Sequence, residues 1–176
     1  MRRFFSSCIA LALVALPATV AAQTYVYFGG GASMPIGDSK DALKTGWLGN
    51  VGIGRGIAAN GALSIQAEGL YGSNTYKVVD AKLNIFGAFV NLEYDINEAA
   101  TLHPYVYVGG GMLGAKPEEG DSDTKGAYQA GVGLGYKMTP TWTLWGDVRY
   151  MSSTGDNNIS FMPITFGLSF SGFGKK

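Results

Sequence analysis

Apolar and polar positions alternate with a period of two through most of the chain after residue 22, and no long window carries a helical period. Successive side chains of a strand point to opposite faces, so this pattern predicts strands with one apolar face and one small or polar face. The clearest case is Gly126 to Tyr150. In its first arm Tyr128, Ala130, Val132, Leu134 and Tyr136 alternate with Gln129, Gly131, Gly133, Gly135 and Lys137; in its second, Leu144, Gly146, Val148 and Tyr150 alternate with Thr143, Trp145, Asp147 and Arg149. Met138-Thr139-Pro140-Thr141 is a short turn whose proline cannot donate to a ladder. Each arm has the ~9–11 residues that a tilted strand needs to cross a bilayer. Tyr128 and Tyr150 stand at one end of the apolar face, Tyr136 and Trp142 at the other, the arrangement of aromatic girdles at two membrane interfaces.

Eight such runs are predicted, at 24–36, 46–57, 62–73, 82–96, 102–115, 127–138, 142–152 and 161–171. Their connections alternate in character. Those at 58–61, 97–101 and 138–141 are short, whereas 37–45, 74–81, 116–126 and 153–160 are longer and more polar. An even strand number with short turns at one end and longer loops at the other is the layout of a closed outer-membrane barrel, short turns periplasmic. Both termini then lie in the periplasm. In the third strand Leu63, Ile65, Ala67 and Tyr71 are expected to face lipid, with Ser64, Gln66 and Glu68 inside. In the fourth Phe86, Ala88, Val90, Leu92 and Tyr94 face out and Asn91, Glu93 and Asp95 in; in the eighth Ile164, Phe166, Leu168 and Phe170 face out and Thr165, Gly167 and Ser169 in. In the second Val51 and Ile53 face out, Asn50, Gly52 and Gly54 in, and Arg55 lies at the lipid rim. The first and fifth strands, TYVYFGGGAS and PYVYVGGGML, are apolar or glycine on both faces and do not declare an inside.

The first 22 residues read as an address rather than as fold. Arg2 and Arg3 precede a short apolar core, Ile9 to Ala15, and Val20-Ala21-Ala22 supplies a small-residue cleavage pattern, so residues 1–22 are expected to be a cleaved signal peptide and 23–176 one barrel domain. The single cysteine, Cys8, falls in the first segment, which leaves the rest without disulfides, thiolate metal sites or cysteine nucleophiles. Setting aside Arg2 and Arg3, the 13 basic residues become 11 against 13 acidic ones, a net charge of −2 that gives no footprint for nucleic acid.

The signal peptide, the run HPYVYVGGGMLG at His103–Gly114, the run AGVGLGY at Ala130–Tyr136 and the final ITFGLSF at Ile164–Phe170 resemble the small outer-membrane barrel family of OmpA-like and OmpX-like proteins, over the whole of residues 23–176. The resemblance implies an all-β, eight-stranded antiparallel up-and-down transmembrane barrel in the Gram-negative envelope. It also implies insertion by the barrel-assembly machinery, lipid and lipopolysaccharide as surroundings, and a monomer whose four outer loops meet an extracellular ligand or a host surface. Family members usually end on an aromatic residue; here Phe173 is followed by Gly174-Lys175-Lys176.

The inward set contains Glu68, Glu93, Lys137, Asp147 and Arg149. Charges of both signs in so narrow a space are expected to pair, because an unpaired buried charge is costly. Arg149 is the expected central cation, bridging Glu68 or Glu93 in a plug; the alternative is a narrow pore for ions or small solutes. Lys44, Lys77, Lys82, Lys116 and Lys125 flank the outer strand ends and are candidates to meet lipopolysaccharide phosphates. Glu118, Glu119, Asp121 and Asp123 form an acidic loop, but no glutamate completes a calcium motif, and no P-loop is present. The sole histidine, His103, belongs to the rim opposite Ser152 and Ser153, out of a catalytic base's reach of either. No catalytic residue, cofactor or metal site is expected.

Overall fold

The computed structural model of the protein describes residues 23–58, 61–118, 120–156 and 158–173. The predicted signal peptide, Glu119 and the Gly174-Lys175-Lys176 tail lie outside them. The elements in chain order are β1 (Thr24–Ser33), α1 (Ser39–Ala42), β2 (Gly46–Gly56), β3 (Leu63–Thr75), β4 (Lys82–Asp95), β5 (Leu102–Pro117), β6 (Asp123–Lys137), β7 (Trp142–Ser153), β8 (Ser160–Phe161) and β9 (Ile164–Phe173). Every pairing is antiparallel between neighbours, and β1–β9 and β7–β9 join the two ends of the sheet. The result is a closed, up-and-down barrel of eight strands, with β8 and β9 acting as one. Pro163 separates those two pieces in sequence, yet Met151↔Phe161 and Val148↔Ile164 continue one register across the gap. The missing proline N–H breaks the ladder without shifting it.

The outward faces carry the apolar belt. Val51, Val108, Val132 and Phe166 are each 60% or more exposed, an arrangement that is stable in lipid and costly in water. Trp47 packs on Tyr71 and Tyr128 on Tyr150 toward one end of this belt, and Trp142 on Phe170 toward the other. The end where Thr24 and Phe173 lie, here called the near end, has the three short turns; the far end has the four longer loops. The expected faces of β2, β3, β4, β6, β7 and β9 are those observed.

The register also resolves the two ambiguous strands. In β5 His103, Tyr105, Tyr107, Gly109 and Gly111 face inward, and Val106, Val108 and Gly110 outward. The triple glycine is therefore three sites of different kinds. A Cβ on Gly111 would collide with the backbone oxygen of Ala88, and one on Gly109 with the Asn91 amide, whereas Gly110 has nothing within 4 Å. Gly111→Ala is expected to destabilise the protein folded in lipid vesicles by about 1–3 kcal/mol or more, read as a lower urea midpoint, since a backbone atom cannot move aside, while Gly110→Ala next to it stays within about 0.5 kcal/mol. Equal midpoints for the two variants would contradict the register.

The first strands of the far end differ from expectation in one respect. Residues 34–45, where the pattern predicts the end of the first strand up to 36 and a polar loop at 37–45, fold back over the far mouth. Asn74, almost fully buried, clamps them by donating to the Ser33 and Lys44 carbonyls, both at 2.9 Å. Ser160 N donates to Ser39 Oγ at 3.0 Å, and Leu43 is buried in the barrel mouth. In addition β6 starts at Asp123, four residues before its predicted start, because its polar first residues still complete a ladder with β5.

Candidate functional site

The barrel interior divides into two halves of opposite chemistry. The far half is apolar: Leu48, Leu70, Ile85, Phe89, Leu113, Met151 and Phe161 fill it and, with Leu43, form one buried cluster. Apart from Leu43, which is on no strand, and Leu113, on a strand whose pattern declares no inside, these are inward positions by strand alternation, a signal that the expectation of a polar interior did not use.

The near half is polar, and its floor is a network around Glu68. This carboxylate accepts from Asn50 Nδ2 (2.8 Å) and Arg149 Nη1 (2.6 Å) on one oxygen, and from Asn91 Nδ2 (3.0 Å) and Gln129 Nε2 (2.8 Å) on the other. An ionised carboxylate has about four acceptor sites, and all four are filled here. Arg149 Nη2 reaches Asp147 Oδ2 at 3.0 Å. Asp147 also accepts from Tyr107 OH (3.0 Å) and Thr165 Oγ1 (2.6 Å). These residues come from β2, β3, β4, β5, β6, β7 and β9, so the network ties seven of the eight strands together at one level. One guanidinium serves two carboxylates, and neutral donors take up the remaining acceptor capacity.

Of the five interior charges expected from sequence, the structure brings Glu68, Asp147 and Arg149 together. Glu93 does not reach Arg149: it accepts from Tyr25 OH at 3.2 Å and Ser64 Oγ at 3.4 Å, nearer the near end. Lys137 sits at the near rim, where it donates to the Glu98 carbonyl and approaches the Glu98 carboxylate at 3.4 Å. Gln129 and Thr165 were legible as inward residues but not as partners, since spacing fixes faces and not contacts. Lys44, Lys77, Lys82, Lys116 and Lys125 all lie at the far end. The first four are exposed; Lys125 is half-buried and donates to the Asp156 carbonyl at 2.7 Å.

Above the network a cavity of about 520 Å³ reaches the near end. Tyr25, Tyr27, Tyr105, Tyr107 and Trp145 form much of its wall. His103 stands at its mouth, with Nδ1 2.7 Å from Asp95 Oδ1. His103 pairs with Gly135 and Ser152 with Tyr128 on the same strand, β6. Those seven positions separate the level of the imidazole from that of Ser152 by about 23 Å along the strand, far beyond hydrogen-bond reach.

Residues 6–171 match the outer membrane protein beta-barrel domain family. The chain belongs to that family. Its members are bacterial outer-membrane proteins, and solved structures carry the same small eight-stranded barrel. Neisserial surface protein A is 16% identical, with a TM-score of 0.73 over 85% of this chain and 98% of that one. The N-terminal barrel domain of Pseudomonas aeruginosa OprF is 15% identical, with a TM-score of 0.54 over 86% and 98%. Ail, the attachment invasion locus protein of Yersinia pestis, in complex with the heparin analogue sucrose octasulfate, is 16% identical, with a TM-score of 0.51 over 85% and 97%. At these identities the likeness shows the fold alone. No curated protein matches the chain.

Proposed function

We propose that this protein is a closed structural barrel of the outer membrane that presents its far-end loops for surface interaction. The observation that carries the reading is the double closure of the interior, a hydrogen-bonded charge network under a packed apolar layer. Short turns at the near end support a periplasmic position for both termini, with residues 1–22 removed as a signal peptide and 23–176 remaining as a monomeric barrel. Single-channel recording of the refolded protein in a planar bilayer tests closure. The expected trace is flat; steady conductance would move the protein to the narrow-pore reading, which the polar cavity at the near end favours.

The surface role draws on the far-end cations and on the fold's company. A relative named for attachment and invasion has been solved with a polysulfated ligand, and Lys44, Lys77, Lys82 and Lys116 put exposed ammonium groups at the level where lipopolysaccharide phosphates or an anionic glycan would lie. Replacing these four lysines with glutamine is expected to weaken co-purification with lipopolysaccharide, and the wild type is expected to lose it as salt is raised, since exposed charges are screened over about 8 Å at physiological ionic strength. Retention that ignores both changes would remove the lysines from the proposal.

A further inference from the structure

The near-end cavity has features that neither the charge network nor a surface role requires. Its aromatic rings are laid against glycines of the neighbouring strands. Tyr27 covers Gly52, Tyr25 covers Gly54, Tyr107 covers Gly131 and Tyr105 covers Gly133, each so closely that a Cβ on the glycine would strike the ring. Trp145 lies in the same way over Gly29 and Gly167. With these rings laid on the walls, about 520 Å³ stays open in a barrel otherwise narrow enough to fill. The tyrosine pairs stand on β1 and β5, which are opposite one another in the ring of eight strands, and Trp145 on β7 lies midway between them. Tyr27 and Trp145 meet edge to face at 6.1 Å, and the paired tyrosines at 6.3 Å.

The charge of the cavity wall is negative. Glu68, Glu93, Asp95, Glu98 and Asp147 line it against Lys137, Arg149 and the single imidazole of His103. Arg149 is held by Glu68 and Asp147, and Lys137 by Glu98. Glu93 receives hydrogen bonds from neutral donors, the Tyr25 and Ser64 hydroxyls and the Gln66 amide, and among the described residues no cation pairs with it. Four buried groups of the wall, Asn50, His103, Trp145 and Arg149, each keep one unpartnered atom, and all four atoms are closed to the lumen.

We propose that this cavity is a binding site for a small organic cation, an alkylammonium, entering from the near end. Aromatic faces attract a cation through the ring quadrupole, most strongly when it is desolvated, and they do so without demanding a directed hydrogen bond. Glu93 supplies the countercharge. A small anion meets an adverse field here, and a neutral polyol leaves the carboxylates without a counterion. The volume is within the range of pockets that enclose small molecules.

Choline is the probe, titrated into the isotopically labelled, refolded full chain in detergent micelles. The indole N–H signals of Trp47, Trp142 and Trp145 report together, and the two lipid-facing tryptophans serve as internal controls. The expected result is a saturable shift confined to Trp145, with Kd on the order of 1 mM as befits a ligand of few atoms. Glu93→Gln is expected to weaken it by about tenfold, the loss of one charge-assisted contact, and Tyr105→Leu by a smaller factor. Heat-modified gel migration verifies that each variant is folded, and Glu93→Gln carries the test if Tyr105→Leu is not. A response that does not saturate, equal shifts with potassium chloride, or unchanged affinity in Glu93→Gln would each overturn the proposal.

Discussion

Arg149→Met is expected to destabilise the barrel by about 3–5 kcal/mol, read as a fall in the urea midpoint of the protein folded in phospholipid vesicles. The side chain is 3% exposed and its guanidinium touches both Glu68 and Asp147. Removing it leaves two carboxylates at the middle of the barrel with neutral donors only, and the cost is that of an uncompensated buried charge rather than of one lost hydrogen bond. Lys137→Met is the matched control. Its partner Glu98 and the ammonium itself are each about one-third exposed, so the change should stay within about 1 kcal/mol.

The network's own chemistry sharpens this expectation. Glu68→Gln keeps the shape but turns one of its ends into an N–H donor, and that end faces the amides of Asn50, Asn91 and Gln129 or the guanidinium. A donor set against donors costs about 1–3 kcal/mol. The triple change Glu68→Gln, Asp147→Asn and Arg149→Met removes every charge from the layer. Buried ion clusters replaced as a whole are often neutral in stability, so this variant should recover most of what Arg149→Met loses. If Arg149→Met instead unfolds at the wild-type midpoint, the layer is not a stabilising element and the barrel is held by its ladders alone.

Strand number, faces and the alternation of short and long connections were legible because lipid outside and side chains inside impose a strict period of two, clearest in the β6–β7 hairpin. Glu68 and Arg149 were legible as inward residues, but their contact spans 81 positions in sequence, and alternation carries no information about which inward residues share a level. Glu93 looked equivalent to Glu68 on the same ground. Barrel shear, visible only in the register, places Glu68 opposite Phe89 and Gly52 and Glu93 opposite Ser64 and Tyr107. The first and fifth strands stayed ambiguous because Tyr and Val are both acceptable on either face. What decides them is the row of glycines on β2 and β6 that accepts the tyrosine rings, a two-strand property that no single run displays. The far loop at 37–45 read as polar, and only the burial of Leu43 and Asn74 shows it to be part of the closure.

That closure leads to the second large effect, which concerns permeation. Arg149→Ala alone is expected to give no single-channel current, although it removes the central cation. Beyond the charge layer the path still meets Ile85, Phe89, Met151 and Phe161, of which Ile85, Met151 and Phe161 have no measurable exposure, and an apolar constriction blocks ions by excluding their water. Ile85→Ala with Phe161→Ala alone is also expected to stay silent, because Glu68, Asn91 and Gln129 remain linked across the lumen. That pair should further cost roughly 5–9 kcal/mol if its cavities add, at about 2–5 for the isoleucine and 3–5 for the phenylalanine, so it is measured in a lipid where the wild type folds with a large margin. Current is expected only when both layers are opened in one chain. A current from Arg149→Ala by itself would show that the apolar layer is permeable, and the barrel would then be a gated pore with Arg149 as its gate.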